Sequence, residues 1–289
     1  IIITLKIYKL GGRVMQATQQ KANQNNLLEK VFKLSEHGTN VKTEIIAGIT
    51  TFMTMAYILA VNSNMLAEAG MDAGAVFVAT ALSATISCFV MAFLSNYPIA
   101  LAPGMGLNAF FAYTVVLQMG YTWQMALLGV FIEGVLFIIL TVTSLREQII
   151  NCIPKDLKNA VTAGVGLFIA SVGMTNAGII NTANGTLALS SLHDPLVVLS
   201  VVGLGIAGIL VCRNVRGALL LSILLTSAIG MLTGIVTLPT KIVSLNVPSL
   251  APTFMQAFSV PLEKIFSLDM VIVVFTFLFM DLFDSVGFL

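Results

Sequence analysis

Runs of about twenty apolar residues recur along this 289-residue chain, and they limit its fold more than any other feature. Such a run is long enough to cross the hydrocarbon core of a bilayer as a helix, which satisfies every backbone N–H and C=O group without water. Charged residues make up only 9% of the chain, whereas soluble domains carry about a quarter. The pattern predicts an all-α polytopic integral membrane protein.

Hydropathy along the chain predicts eight membrane segments. They cover residues 44–64, 73–95, 97–119, 123–145, 159–180, 195–212, 217–236 and 269–289. Residues 1–42 form the region before the first segment, and residues 1–14 are expected not to be native coding sequence, because Met15 is the more plausible start. Residues 237–268, with four prolines, are predicted to be an extracytoplasmic loop with short interfacial pieces.

The Lys and Arg residues indicate whether the third segment crosses, because cytoplasmic loops carry an excess of them. Seven precede the first segment, three lie at 146–158, two at 213–216 and two at 241–264. If the third segment crosses, the two sides of the membrane hold 12 and 2 of these residues. If it dips in and returns, they hold 9 and 5. The larger asymmetry favours a crossing segment and a cytoplasmic N-terminus.

The third segment is irregular, because Pro98 and Pro103 stand near the two ends of the stretch YPIALAP, residues 97–103. A regular helix is disfavoured there, and helical sequence resumes only from Gly104. The segment therefore predicts an extended piece followed by a half helix that starts near the middle of the membrane. Irregular backbone at that depth is tolerated only where it is buried in protein or lines a cavity.

A half-helix N-terminus offers a binding site for a polar ligand. Its unpaired N–H groups carry partial positive charge, and Gly104, Met105 and Gly106 bring that backbone close to a ligand. Asn108 adds an amide that donates and accepts hydrogen bonds, as a heterocycle with mixed donors and acceptors requires. Discontinuous spans point to a transporter's binding site. The alternative is that the glycines and Asn108 only serve close packing between helices.

Three carboxyl groups lie deep inside predicted segments, where ionisable residues are costly and are candidates for function. Asp281 and Asp284 are three residues apart on one helical face of FMDLFDSVGFL, so at least one is expected to hold its proton at neutral pH. Such a group suits a proton-coupled carrier and also accepts N–H donors from a substrate. Glu133, in the fourth segment, is interpreted as a protonated structural residue bonded to a neighbouring helix.

The cysteines predict no disulfide or metal framework. Cys88, Cys152 and Cys212 are isolated and show no CxxC spacing, so they are interpreted as reduced packing residues. No cofactor is expected, and the coupling ion would be a proton.

Three motifs in order, HGTNVKTEIIAGITTFMTMAYILAVN, ALAPGMGLNAFFAY and FMDLFDSVG, closely resemble those of the adenine/guanine/hypoxanthine permeases. These permeases are the AzgA-like branch of the xanthine/uracil (nucleobase/ascorbate) permease superfamily, and the similarity covers about residues 27–287. The resemblance implies fourteen segments in two inverted seven-segment repeats, with the third and tenth segments facing each other across the substrate. It also implies proton-coupled import of a purine base through a bacterial inner membrane.

By position, the resemblance implies that Asn108 contacts substrate and that Asp284 contacts substrate and is tied to proton coupling. Asp281 matches a family aspartate without an assigned role, and Phe288 stands where the family usually has a small hydroxyl residue. The chain corresponds to the first repeat and the eighth segment, without the tenth-segment glutamate that holds the purine. We therefore expect a fragment that cannot transport alone.

Several alternatives stay open at this stage. An anion or uracil/xanthine transporter of the same architecture, or a non-functional fragment, fits much of the pattern. An intramembrane aspartyl protease fits poorly, because its two aspartates lie on different helices and carry a GxGD signature. The expected partners are a purine nucleobase and the lipid bilayer, with a homodimer left open and no nucleic acid.

Overall fold

The computed structural model describes residues 27–143, 145–181, 188–191, 193–237, 246–261, 265 and 267–286. Within these ranges, the side chains of residues 27, 146, 147, 150 and 284–286 lie outside the description. The upstream sequence at 1–14, Phe288, and the side chain of Asp284 therefore lie outside the described part of the chain.

The described chain is mostly helical, as predicted. The α-helices are α1 (Leu27–Phe32), α2 (Val41–Met55), α3 (Tyr57–Glu68), α4 (Ala73–Val90), α5 (Met105–Ala109), α6 (Trp123–Val142), α7 (Leu145–Cys152), α8 (Lys155–Asn176), α9 (Pro195–Cys212), α10 (Ala218–Leu232) and α11 (Leu268–Val286). Two π-helices, Met91–Ser95 and Phe110–Gln118, continue α4 and α5, and a 3₁₀ helix covers Gln256–Ser259. A helix occupies each of the eight predicted segments.

Five of these helical stretches are long and apolar enough to cross a membrane: Val41–Glu68, Ala73–Ser95, Trp123–Val142, Lys155–Asn176 and Pro195–Cys212. The helices at Met105–Gln118 and Ala218–Leu232 are apolar but shorter. Helix α11 is 19 residues long and carries three acidic residues, Asp269, Asp281 and Asp284. The charge on α11 is thus unusual for a helix of this apolar length.

Polar residues just before the helices mark where several of them begin. Asn40 and Asp72 accept hydrogen bonds from the backbone N–H groups of the first turns of α2 and α4, at 3.0 and 2.7 Å. Thr122 does the same for α6, and Asp194 for α9. These side chains satisfy backbone N–H groups that the start of a helix leaves unpaired. The helices therefore begin directly after these polar residues.

The core of the described residues forms where α3, the third segment, α6 and α11 meet. Phe277, Met270, Val115 and Val273 are its largest fully buried side chains. Helix α6 approaches α11 closely at Gly129, where an added Cβ would lie 2.9 Å from Val273 Cγ1. The third segment is therefore packed on a helix that carries the two predicted aspartates.

Two features differ from the sequence prediction. The fourth segment was predicted to reach residue 145, but α6 ends at Val142 and a separate short helix, α7, begins at Leu145. Strands β1 (Ile180–Asn181) and β2 (Ala188–Leu189) form an antiparallel pair between α8 and α9. Both elements are too short to have a clear hydrophobic period of their own.

Candidate functional site

The third segment contains the predicted break. No helix covers residues 96–104, Gly104 is extended with φ −72° and ψ 115°, and α5 begins at Met105. The Asn108 N–H donates to the Gly104 carbonyl at 3.1 Å, and this is the first intrahelical bond. The N–H groups of Met105, Gly106 and Leu107 precede that bond, so they point toward the N-terminal end of the half helix.

The extended piece lies beside α4. The backbone N–H and carbonyl of Leu101 both pair with the Cys88 thiol, at 3.2 and 3.4 Å. This contact gives Cys88 a specific role beyond the general packing predicted from sequence. A groove of about 600 Å³ runs between α2, α4 and the extended piece, and it reaches from Glu44 to Thr80.

A chain of hydrogen bonds holds Asn108 in place. Asn108 Nδ2 donates to Asn62 Oδ1 at 2.6 Å, and Asn62 Nδ2 donates to Thr80 Oγ1 at 2.8 Å. Asn62 and Thr80 are buried, with 3% and 5% of their surfaces exposed. The network orients the amide on the first turn of the half helix.

The direction of α11 follows from its contacts with α6. Gly129 of α6 lies against Val273 of α11. Farther along both helices, Glu133 interacts electrostatically with Asp281, so α6 and α11 run in the same direction. The third segment and α6 are joined by a short turn at 119–122, so their directions are opposed. Helix α11 therefore runs antiparallel to the half helix.

This arrangement places the two aspartates at the level of the half-helix N-terminus. Phe277 packs edge-on against Phe110, with ring centroids 5.4 Å apart. Asp281 lies four residues after Phe277, and Gly106 lies four residues before Phe110. Because the two helices are antiparallel, both residues are displaced about 6 Å in the same direction from the Phe110–Phe277 contact. Asp284 lies a further three residues along α11, near the level of Gly104. The predicted binding backbone and the predicted acids are thus brought to one depth.

Glu133, predicted to be a protonated structural residue, lies on the face of α6 that packs against α11. Asp281 of α11 interacts with it electrostatically across this contact. Glu133 is only 6% exposed, and its Oε1 has no hydrogen-bond partner among the described residues. The expected bond to a neighbouring helix is therefore not made by this oxygen.

A second polar cluster lies farther along the third segment. Asn176 Nδ2, at the end of α8, donates a short hydrogen bond to the Tyr113 hydroxyl. The Glu68 carboxylate, at the end of α3, is near enough to interact with that hydroxyl electrostatically. Tyr113 belongs to the π-helix Phe110–Gln118. The cluster joins the half helix to the ends of two membrane-length helices.

Sequence reasoning missed Asn62, Thr80, Tyr113 and Asn176. The available signal was polarity inside apolar segments, as in AVNSN at residues 60–64. That signal does not say which helix supplies each partner, since Asn62 and Asn108 are 46 residues apart. In the described part of the chain, no group of three His, Cys, Asp or Glu residues is arranged to hold a metal.

A bundle of membrane-length helices around a span broken into an extended piece and a half helix defines a membrane transport protein. The chain belongs to the Permease family (xanthine/uracil type), whose sequence model matches residues 42–289. This is a family of transporters rather than of enzymes, so the aspartyl protease alternative is set aside.

Three relatives show how this chain fits within the family. It is 47% identical over 270 residues to the guanine/hypoxanthine permease PbuG of Bacillus subtilis, covering 90% of this chain and 61% of PbuG. It is 42% identical over 274 residues to the adenine permease AdeP of Escherichia coli, covering 94% and 60% of the two chains. The guanine/hypoxanthine permease PbuO of Bacillus subtilis is 43% identical over 265 residues, with 89% and 60% covered. The chain thus spans about 60% of the length of these relatives.

Proposed function

We propose that this chain forms part of a proton-coupled importer of purine nucleobases. The observation that carries the proposal is the placement of Asn108, oriented by Asn62, on the first turn of a half helix whose N-terminus is level with two acids on α11. N–H groups, an amide and carboxyl groups at one depth can bind a ligand that has both donors and acceptors on its edges.

The substrate class follows from this chemistry together with the relatives. Adenine, hypoxanthine and guanine all carry ring nitrogens that accept hydrogen bonds and N–H groups that donate them. The half-helix N–H groups at Gly104–Gly106 suit the acceptors, while the acids of α11 suit the donors. The relatives are named as guanine/hypoxanthine and adenine permeases, which supports a purine over a simple anion.

Coupling to protons is assigned to Asp281 and Asp284. Two carboxyl groups one helical turn apart in an apolar helix repel each other when both are ionised, so taking up a proton is favoured. A carrier can take this proton up on one side of the membrane and release it on the other. Of the two, Asp284 is assigned the direct contact with substrate.

We place the protein in the plasma membrane with its N-terminus in the cytoplasm. Residues 43–236 would supply the first inverted repeat and residues 269–289 the eighth segment, with 237–268 outside. The excess of Lys and Arg before the first segment supports this orientation. A homodimer is compatible with the many exposed apolar side chains of the helices.

The test is uptake of labelled adenine, hypoxanthine or guanine by cells that lack their own purine permeases, with the protein expressed at its natural length. Competition with unlabelled purines, uracil, xanthine and an oxyanion identifies the substrate class. Purines alone should compete, and preferential competition by uracil, xanthine or the oxyanion would establish one of the alternatives instead.

Two variants test the assigned residues. Asn108→Ala should weaken purine binding by about 1–3 kcal/mol, because a buried polar ligand loses its hydrogen bonds. Asp284→Asn should abolish the pH dependence of uptake. Unchanged affinity in the first variant would return Asn108 to a packing role, and an unchanged pH profile in the second would remove Asp284 from coupling. Asn64→Ala, at an exposed position on α3, is the matched control.

A further inference from the structure

The carboxyl group of Glu133 is the least explained polar group in the described core. It lies at the eleventh of the twenty positions of α6, among apolar side chains, and is 6% exposed. Its Oε1 is buried and has no hydrogen-bond partner among the described residues. A buried, unpaired carboxylate oxygen is strongly disfavoured, so a group of this kind is expected to hold a proton or to serve a function.

Glu133 lies on the face of α6 that packs against α11. At Gly129 the missing side chain lets Val273 approach to contact, and Met270 and Phe277 line the same place. Glu133 is one turn beyond Gly129, and Asp281 is one turn beyond Phe277. The two acids therefore lie on the facing sides of the tight helix contact, close enough for the charge of one to act on the other.

Other charged or titratable groups on the elements packed against these helices lie mostly at helix ends. They are Asp269 and Asp284 on α11, Arg146, Glu147 and Cys152 on α7, Lys155, Asp156 and Lys158 on α8, and Tyr113 in the third segment. The 3₁₀ helix Gln256–Ser259, which also packs on α6, carries none. Asp269 is twelve residues from Asp281, about 18 Å along the helix. Among the described side chains, the middle of this contact thus has acids and no cation.

Two carboxylates in one apolar contact cannot both remain ionised, because each disfavours the charge of the other. We propose that Glu133 and Asp281 form an acid pair that holds a proton between them across the α6–α11 contact. Glu133 is then a second proton-holding residue, on a different helix from Asp281 and Asp284. Its role in transport rests on the proposed function, whereas the existence of the pair does not.

The proton balance of the pair is simple. With one proton, the pair has charge −1, and the proton passes between a Glu133 oxygen and an Asp281 oxygen without changing that charge. A second proton, taken from water, makes the pair neutral. Loss of that proton to water restores the charge of −1. Since the two residues lie on separate helices, a shift of α11 against α6 changes how well the proton is shared.

The pair is tested first without transport. The natural-length protein, in lipid bilayers, is titrated with pH while infrared absorption of protonated carboxyl groups is recorded. Glu133→Gln should remove the protonated-carboxyl band of Glu133 and shift the band of Asp281. Asp281→Asn should remove the Asp281 band and shift the Glu133 band. Glu36→Gln, on an exposed surface acid paired with Lys33, should change neither.

Independent titration of the two bands would overturn the proposal. If Glu133→Gln fails to fold, the measurement on Asp281→Asn is sufficient to test the proposal. A Glu133 band at the same frequency in Asp281→Asn and in the unmodified protein means that the two residues do not form a pair. Glu133→Asp, which keeps the acid on a shorter side chain, should retain a shifted protonated band.

The transport role is measured by two assays on the same variants. Glu133→Gln should reduce pH-gradient-driven purine accumulation about tenfold or more, the size of an ordinary coupling energy between sites, and leave exchange of labelled for unlabelled purine within about twofold. Accumulation equal to the unmodified protein would remove Glu133 from coupling. An equal loss of both activities would leave it a structural residue. If the unmodified protein takes up no purine, the proposed function fails, while the infrared result on the pair still stands.

Discussion

Asn108, on the first turn of the half helix, donates a 2.6 Å hydrogen bond to Asn62 in the first membrane span. Asn62 Nδ2 in turn donates a hydrogen bond to Thr80 Oγ1 in the second span. Three segments therefore meet at one amide, and the side chain predicted to face a ligand is oriented by a residue that the sequence did not single out. The consequences of this network can be measured separately from transport.

Removal of Asn62 should destabilise the site. Asn62→Ala leaves the Asn108 amide without its acceptor and the Thr80 hydroxyl without its donor, both in a largely buried place. We expect a loss of about 2 kcal/mol in the free energy of unfolding, and weaker purine binding. Thermal unfolding of purified protein in detergent measures the first. Asn64→Ala, two residues along and exposed, should stay near the unmodified midpoint, and equal midpoints for both variants would contradict the network.

The hydroxyl of Thr80 should matter more than its methyl group. Thr80→Val keeps the shape but removes the oxygen that accepts from Asn62, which is expected to cost about 1–2 kcal/mol. Thr80→Ser keeps the oxygen and should be milder. Unfolding midpoints of the two variants, measured side by side, check the order. A less stable serine variant would mean that packing, not hydrogen bonding, dominates at this position.

The contact between α6 and α11 should be intolerant of a single methyl group at Gly129. An added Cβ there lies 2.9 Å from Val273 Cγ1, so Gly129→Ala is expected to cost about 1–3 kcal/mol through overpacking. Gly134, on the same helix, has nothing within 4 Å of an added Cβ and provides the matched control. Gly134→Ala should be neutral or slightly stabilising, since Ala is the better helix former.

A compensating change tests the cause of the Gly129 effect. Val273→Ala in the Gly129→Ala background removes the methyl group that the added Cβ meets. The double variant should regain part of the lost thermal stability. A strictly additive loss would show that the two positions do not meet as the structure has them.

Tyr113 and Asn176 should act as a unit. Tyr113→Phe removes the hydroxyl that links the half helix to α8, and Asn176→Ala removes the donor to it. In a double-mutant cycle on unfolding free energy, we expect a coupling of about 0.5–1.5 kcal/mol, because either change alone breaks the same bond. Additive effects of the two variants would contradict that bond. Tyr97→Phe, at the exposed start of the same segment, serves as the control.

Much of the architecture could be predicted because membrane length and hydropathy are local properties of a sequence. The break in the third segment followed from Pro98, Pro103 and Gly104, and the structure confirms a helix that starts at Met105. The π-helical form of Phe110–Gln118 could not be predicted, because its residues are as compatible with an ordinary α-helix. The short helix α7 was not predicted, because about two helical turns are too few to show a clear repeat of hydrophobic residues.

The sequence by itself determined that this chain belongs in a membrane, where its helices run, and which segment is discontinuous, because each depends on residues adjacent along the chain. Only the tertiary structure decided which polar groups interact: Asn108 bonds Asn62, Tyr113 bonds Asn176, and Asp281 acts electrostatically on Glu133. The physical reason is that polarity inside a span shows that a partner is needed. Which residue supplies it depends on how helices far apart in sequence pack together.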